Sequence, residues 1–239
     1  MSPGPRHDRP HPNYALSSNR VTYVHTDVTD WASQINAFKV AIGHSPSKGI
    51  DIVVTAAGLS GHYMITPNDE PPSLDRDPPE PSVKTMDVNL AGVFYTTKLA
   101  LHYFQLKGPS ESTDQGRKNI ILISSLAGYV ELPYLGDYQA SKFGVRGLFK
   151  ALRNNLGPMG IRMNLVAPWF VQTPMTKDIG PMVEERGVEL AKMETAVDAV
   201  VRCATDDSIS GKSSLSHVER KLIGAFLSCR PCNCGCTFG

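Results

Sequence analysis

Three side chains that can handle a proton together lie between residues 125 and 142. Ser125 follows a short apolar, β-branched run at residues 119–123, and Tyr138 and Lys142 stand four apart where helical spacing begins. Residues four apart lie on one face of a helix. The carboxyl end of a parallel strand is the edge at which open α/β sheets bind ligands. We therefore expect a hydroxyl, a phenol and an ammonium to converge on one point.

This set of groups has a definite chemical use. A phenol with its ordinary pKa of about 10 is a poor proton acceptor at neutral pH. A lysine ammonium nearby favours the phenolate, so we expect Lys142 to lower the pKa of Tyr138. Such a phenol can take a proton from an alcohol or give one to a ketone. The Ser125 hydroxyl can hydrogen-bond the same oxygen and stabilise its charge.

The elements that must position these groups alternate along the chain. β-branched runs predict strands at residues 21–28, 50–55, 119–123 and 161–167, each buried where it is continuously apolar. Apolar residues at helical spacing predict a helix after residue 30, which either Thr29 or Asp30 can cap. They predict further helices at 83–106, 137–155, 174–192 and 195–205. The alternation predicts an α/β fold, a parallel sheet with helices on both faces.

Within these elements a few residues carry specific expectations. The first helix should bury a stripe of Trp31, Ile35, Phe38 and Ile42. Asn89 interrupts the apolar face of the second helix, so it is either a structural hydrogen-bonding residue or a site residue. The small residues Ala56, Ala57 and Gly58 end a strand, which lets a flat ligand lie close to the backbone or simply serves a turn.

Composition excludes several classes of function. Lys plus Arg number 24 against 23 for Asp plus Glu, a net charge of +1, which gives no electrostatic case for nucleic acid or an anionic membrane. No apolar run approaches the roughly 20 residues of a membrane span. The first residues contain no apolar signal region, so we expect a cytoplasmic protein.

The chain divides into a domain and two irregular ends. We expect residues 1–19 to be disordered, 20–212 to form the domain, and 213–239 to be an irregular, Cys-rich tail. The tail cysteines, spaced C-x-x-C-x-C-x-C, fit a soft metal but are more typical of an oxidation-prone tail, and we predict no metal site. Residues 66–82 hold six prolines and five acidic residues and must be a loop, either at a substrate entrance or simply on the surface.

An ordered set of motifs resembles the short-chain dehydrogenase/reductase family from residue 21 to about residue 212. The Ala56–Gly58 stretch, Asn89 in VNLAG, Ser125, the YxxxK pair and the stretch PWFVQTPM at 168–175 stand in the family's order and spacing. The resemblance is nearest to the members that include 15-hydroxyprostaglandin dehydrogenase and enzymes of fungal secondary metabolism. It implies a Rossmann-like three-layer αβα fold.

The resemblance also implies a role for each residue. Tyr138 would be the general acid/base, Lys142 would lower its pKa and bind the nicotinamide ribose, Ser125 would orient the substrate oxygen, and Asn89 would hold a relay water. The implied reaction is hydride transfer between NAD or NADP and a secondary alcohol or ketone. The implied cofactor-binding residues are Asp27 and Val28 at the adenine, Ala56, Ala57, Gly58, Tyr138, Lys142, Pro168 and Val171, with Thr173 at the nicotinamide amide.

Two departures from the family pattern leave two hypotheses open. The sequence contains no TGxxxGxG turn, which in the family places the pyrophosphate at a helix N-terminus, so we expect a fold that lacks the first βαβ unit. Then either the 21–28 strand pairs directly with the 50–55 strand, or the edge of the 50–55 strand is bare. Trp169 replaces a glycine beside the nicotinamide. The chain is thus either an oxidoreductase or an inactive, truncated relative that cannot hold a dinucleotide.

A final expectation concerns assembly. Members of the family often pair through two long helices, which here correspond to residues 83–106 and 138–155. The resemblance therefore implies a homodimer or homotetramer that acts on a small molecule.

Overall fold

Four parallel strands form the sheet in this computed structural model, which describes residues 21–61, 73–106, 118–131, 135–177, 180–185, 187 and 189–216. The strands lie side by side in chain order: β1 (Ile52–Thr55), β2 (Lys118–Ile123), β3 (Ile161–Pro168) and β4 (Ser213–Ser216). Val53 pairs with Ile120, and Ile121 pairs with Asn164. The predicted parallel sheet is confirmed, and it runs on through Ser216, past the expected domain end at residue 212.

Helices cover both faces of this sheet. They are α1 (Trp31–His44), α2 (Lys84–Met86), a π-helical turn (Asp87–Ala91), α3 (Gly92–Tyr103), α4 (Gly136–Leu152), α5 (Gly180–Glu184) and α6 (Met193–Thr205). Short 3-10 turns span Leu126–Gly128, Gly157–Met159 and Pro174–Thr176. On one face, residues of α1, α3 and α4 pack against β2 and β3; on the other, Cys203 of α6 packs against Ile121 and Val166. The three-layer αβα fold is confirmed.

Helix α1 starts where its cap residue predicts, but its buried stripe differs from the expectation. Asp30 caps it by accepting a hydrogen bond from the Ala32 N–H at 2.9 Å. Phe38 is buried, whereas Trp31 is 41% exposed and Gln34 is buried instead. Gln34 Nε2 donates to the Gly92 carbonyl at 3.1 Å, and this bond turns the Gln34 face of α1 toward α3. The predicted burial of Trp31 is therefore wrong.

The predicted strand at residues 21–28 does not form. A strand needs a neighbour for its N–H and C=O groups, and none of the described strands pairs with this segment. Tyr23 is 81% exposed, and Val28 anchors the segment by packing against Gly92, where an added Cβ would lie 2.9 Å from Val28 Cγ2. Of the two alternatives, the bare edge is the one observed among the described residues, and Ile52 of β1 is accordingly 40% exposed rather than buried.

Two other segments also differ in detail from the expectation. Residues 174–192 hold a 3-10 turn and the short α5 rather than one helix, since Gly180 and Pro181 interrupt the pattern and Gly187 has a positive φ of 76°. Residues 73–82 contain no helix, as a loop requires. The expected disordered start, the rest of the 66–82 loop and the tail after Ser216 lie outside the described residues, whereas the first four residues assigned to the irregular tail form β4. None of the described helices is long and apolar enough to cross a membrane.

Candidate active site

The chain leaves β2 through Ser124, which is bonded to the first half of α4, and Ser125, which is bonded within its own turn. Ser124 Oγ donates to the Lys142 carbonyl at 3.1 Å, and Ser125 Oγ accepts from the Ala127 N–H at 3.2 Å. The 3-10 turn Leu126–Gly128 follows, and it lies so close to α4 that a Cβ on Gly128 would stand 2.8 Å from the Lys142 carbonyl oxygen. Because turn and helix touch through their backbones, Ser125 has a fixed place beside Tyr138.

Tyr138 and Lys142 share one face of α4, as their spacing predicts. Lys142 is 6% exposed, and its Nζ lies 5.6 Å from the centroid of the Tyr138 ring. The same Nζ donates to the Ile123 carbonyl at the end of β2, at 3.3 Å. The structure thus brings the hydroxyl, the phenol and the ammonium together at the carboxyl end of the sheet.

Burial dominates the protonation of this pair. Desolvation lowers the pKa of Lys142 from 10.5 to about 8. Desolvation also raises the pKa of Tyr138, and a hydrogen bond with the Ser125 hydroxyl acts in the opposite direction. The net pKa of Tyr138 is therefore raised, because the burial of the phenol outweighs the hydrogen bond with Ser125. That Lys142 lowers this pKa stays a prediction. At neutral pH Tyr138 is a neutral phenol, the form that can give a proton to a ketone.

Asn89 is a fully buried clamp in the π-helical turn. Its Oδ1 accepts from the Leu59 N–H at 2.7 Å, and its Nδ2 donates to the Leu59 carbonyl at 3.0 Å and to Ser141 Oγ at 3.2 Å. The π turn is the irregularity that often marks functional sites. The amide thus ties the loop after β1 to α4, while its role as the holder of a relay water stays a prediction.

One cavity of about 670 Å³ gathers most of the predicted site. Nine of the implied residues line it: Ala56, Ala57, Gly58, Ser125, Tyr138, Lys142, Pro168, Val171 and Thr173. Val28 lines a separate groove of about 160 Å³ that shares Ala56 and Ala57 with the cavity. Asp27 lines neither of the two; its exposed carboxylate accepts hydrogen bonds from Thr29, and these lower its pKa.

A smaller pocket also has Ser125 and Tyr138 in its wall. Its volume is about 90 Å³, and its remaining walls are mostly apolar: Leu126, Ala127, Leu135, Trp169, Phe170 and Met175. Trp169 is 8% exposed, packs with Leu126 and Val183, and meets the Phe170 ring edge-on at 4.9 Å. The indole that replaces the family's glycine therefore lies in an apolar cluster and forms a wall of both cavities.

A family model described as short chain dehydrogenase matches residues 11–184. The chain belongs to the short-chain dehydrogenase family. It is 41% identical to a 5'-hydroxyaverantin dehydrogenase of Dothistroma septosporum, over 83% of this chain and 68% of that protein. It is 38% identical to 5'-hydroxyaverantin dehydrogenase stcG of Emericella nidulans, over 80% of this chain and 67% of that protein.

A solved structure supports the fold independently. The 3-hydroxyacyl-CoA dehydrogenase type-2 from Mycobacterium avium superposes with a TM-score of 0.64 and 24% identity, over 80% of this chain and 74% of that one. At this level of identity the likeness concerns the fold alone. Membership of the short-chain dehydrogenase family makes the chain an oxidoreductase of the type that acts on CH–OH groups.

Two serines that support the site of this short-chain dehydrogenase were not identified from the sequence. Ser141 Oγ donates to the Tyr138 carbonyl at 2.6 Å and accepts from Asn89, so it links the clamp to α4. Ser124 fixes the end of β2 to the same helix. Ser141 lies three residues after Tyr138, a helical spacing that could have revealed it. Among the described residues no group of three His, Cys, Asp or Glu side chains could hold a metal ion.

Proposed function

We propose that this short-chain dehydrogenase interconverts a secondary alcohol and a ketone with NAD or NADP. The observation that carries the proposal is the convergence of Ser125, Tyr138 and Lys142 on the wall of one large cavity. When bound, a reduced nicotinamide would supply the hydride for the carbonyl carbon. In that direction the neutral Tyr138 phenol gives its proton to the carbonyl oxygen, and the Ser125 hydroxyl orients that oxygen. The reverse direction returns the proton to Tyr138.

The described cavity fits the nicotinamide half of such a cofactor. Ala56, Ala57 and Gly58 present only small side chains or none, and Gly58 leaves little space for more because a Cβ there would stand 3.3 Å from Asn89 Oδ1. Lys142 lines the same cavity, where a ribose hydroxyl would be the partner of its ammonium. Thr173 also lines it and caps the Pro174–Thr176 turn. For the adenine half, Val28 and the groove beside it are the candidates.

The small pocket favours an uncharged, apolar substrate. None of its described lining residues is charged, and Trp169 and Phe170 give it two aromatic walls. Burying a neutral polar group there without a partner would cost on the order of 2–7 kcal/mol, and burying a charged group would cost more. The two fungal 5'-hydroxyaverantin dehydrogenases among the relatives support a place in fungal secondary metabolism.

The second candidate is a chain that cannot hold the dinucleotide. It is favoured by the sequence, which has no TGxxxGxG turn, and by the cavity wall, where Lys142 is the single charged group among the described lining residues. A dinucleotide diphosphate is normally held by a glycine-rich turn at a helix N-terminus. This alternative predicts an intact site for the proton and no cofactor affinity.

Fluorescence titration with NADH and with NADPH separates the two candidates. Micromolar binding of either, together with reduction of a panel of uncharged ketones, would support the oxidoreductase. Tyr138→Phe should then abolish turnover while leaving folding and cofactor binding intact, because it removes only the transferable proton. Absence of binding would favour the inactive chain, and unchanged turnover in Tyr138→Phe would refute the role of Tyr138.

Assembly into a homodimer or homotetramer is part of the proposal. Phe94 on α3 is 56% exposed and Phe143 on α4 is 41% exposed, so both long helices present an aromatic side chain to solvent. A Phe94→Glu/Phe143→Glu variant should run as a monomer in size-exclusion chromatography with light scattering. A wild-type chain that already runs as a monomer would contradict the assembly. The cytoplasmic location stays a prediction.

A further inference from the structure

A stacked pair joins the Leu126–Gly128 turn to α4 and to β4. Arg146 Cζ lies 4.1 Å from the centroid of the Tyr129 ring, a close cation–π contact. Arg146 Nη1 also donates to the Gly128 carbonyl at 3.2 Å, and the Tyr129 hydroxyl hydrogen-bonds Ser213 Oγ of β4. The proton chemistry proposed above uses neither side chain.

The pair is part of a wider attachment of this segment to one face of α4. Gln139 Nε2 donates to the Val130 carbonyl at 2.8 Å, and the Lys142 carbonyl accepts from Ser124 Oγ at 3.1 Å. Gln139, Lys142 and Arg146 are three and four residues apart, which places them on one side of the helix. This side therefore holds the backbone of residues 124–130, the segment that carries Ser125.

Ser125 depends on this attachment for its position. Its Oγ accepts a hydrogen bond from Ala127 of its own turn, so its place relative to α4 is set by how the turn is seated. Tyr138 belongs to α4 itself and moves with the helix. A shift of the turn would therefore separate the Ser125 hydroxyl from the phenol without moving Tyr138 or Lys142.

We propose that Arg146 is a positioning residue, which holds the Ser125 hydroxyl against the Tyr138 phenol through its contacts with Tyr129 and Gly128. This inference rests on the proposed function of the site. Two charged groups stand against Tyr138 in the described structure: Asp137, which accepts from the Tyr138 N–H at 2.6 Å, and Lys142. The described residues that share cavity walls with Tyr138 from the other elements carry no charge. Ser125 is thus the neighbour from another element that acts on the phenol, and it lowers the pKa of Tyr138.

Titration of Tyr138 tests the proposal without any need for turnover. The tyrosinate absorbance of each protein is measured against pH, and that of its Tyr138→Phe counterpart is subtracted to isolate Tyr138. Arg146→Gln should raise the pKa of Tyr138 in the same direction as Ser125→Ala. The double variant Ser125→Ala/Arg146→Gln should shift it no further than Ser125→Ala alone, since both changes remove the same hydrogen bond.

Arg153→Gln is the matched control. Arg153 lies after the end of α4, its Cζ stands 5.3 Å from the centroid of the Phe149 ring, and its Nη1 donates to the Gly211 carbonyl at 3.1 Å. It thus makes the same two kinds of contact away from Ser125. Its loss should leave the titration of Tyr138 unchanged, whatever it does to stability. An unchanged pKa in Arg146→Gln, shifts that add in the double variant, or an equal shift in Arg153→Gln would overturn the proposal.

Further measurements separate this inference from the function on which it rests. If wild type binds no dinucleotide, the proposed function fails, while the Tyr138 titration still decides the role of Arg146. If wild type is active, Arg146→Gln should lower kcat about tenfold and leave the NADPH or NADH Kd within about twofold. Should Arg146→Gln fail to fold, Tyr129→Leu removes the stacking ring, and the same upward shift is expected; its absence there would equally refute the proposal.

Discussion

At the residue scale, the burial of Lys142 has a large energetic consequence. Lys142 is 6% exposed, and the one hydrogen bond described for its ammonium goes to the Ile123 carbonyl at 3.3 Å. Taking an ammonium out of water is costly unless charge or hydrogen bonds compensate it. The lowered pKa of about 8 expresses this cost, so Lys142 makes the free chain less stable than a well-packed apolar residue would.

The first prediction follows from the sign of this shift. Between the folded pKa of about 8 and the ordinary 10.5, the unfolded chain binds more protons at Lys142 than the folded one, so stability rises with pH in that window. Below pH 8 the lysine is charged in both states and the cost is fully present. From pH 7 to 9.5, the free energy of unfolding of wild type should rise by about 2 kcal/mol relative to Lys142→Met.

Urea unfolding at several pH values measures this difference. The exposed Lys150 on the same helix gives the control, since Lys150→Met changes the net charge equally but removes no buried ammonium. Wild type and Lys150→Met should therefore show parallel pH profiles. A Lys142→Met profile that also runs parallel to wild type would contradict the buried charge.

The second prediction concerns the Asn89 clamp. Asn89→Ala would leave both the N–H and the carbonyl of Leu59 without the partner they have now. The Leu59 groups are partly buried, and a buried, unsatisfied backbone group costs about 1–3 kcal/mol, so the variant should lose about 2–4 kcal/mol of stability. Denaturant unfolding measures the loss, and Asn155→Ala, which removes an exposed amide from the helix end, is the control with an expected change under about 0.5 kcal/mol. Equal losses in the two variants would contradict the clamp.

At the element scale, the contact between the Leu126–Gly128 turn and α4 decides the geometry of the site. Gly128 has no space for a side chain, since a Cβ would lie 2.8 Å from the Lys142 carbonyl oxygen and 2.9 Å from Ser124 Oγ. At Gly147, which lies within α4, a Cβ would meet nothing from the rest of the described structure within 4 Å. The two glycines thus differ in their surroundings: Gly128 is packed tightly against α4, and Gly147, within α4, has open space.

The third prediction uses this pair. Gly128→Ala should cost about 1–3 kcal/mol of stability, because backbone atoms must move to make room. Gly147→Ala should stabilise the chain by about 0.5–1 kcal/mol, because alanine favours the helix. Thermal unfolding of both variants measures the two changes. A neutral Gly128→Ala would show that the turn can move away from α4 at little cost.

The elements also show which sequence patterns are sufficient to predict the fold and the site. The runs at 50–55, 119–123 and 161–167 became β1, β2 and β3, since continuous β-branched residues suit strands between two layers. The run at 21–28 has the same residue types but no partner strand among the described ones, and pairing is not visible in a local pattern. The YxxxK spacing fixed the relation of Tyr138 to Lys142. The pKa of Tyr138 could not be read in the same way, because burial depends on the whole structure.

At the scale of the whole molecule, one side of the described structure exposes an unusual amount of apolar surface. Val54 of β1 and Met193, Val197 and Val201 of α6 are between 39% and 50% exposed, and all four line the 670 Å³ cavity. They lie on the α6 side of the sheet, next to the edge of β1 that no described strand pairs with. A contiguous apolar surface beside such an edge is a site for self-association.

The last prediction tests whether this surface makes the chain associate. Val201→Glu should lower the fluorescence of the apolar dye ANS and slow aggregation, because it places a charge within the exposed surface. The free energy of unfolding should change by less than about 0.5 kcal/mol, since the side chain is half in water already. Met159→Glu adds the same charge at a residue that is 51% exposed and lies in the Gly157–Met159 turn, outside this cavity. If Met159→Glu lowers ANS binding and aggregation equally, net charge rather than this surface controls association.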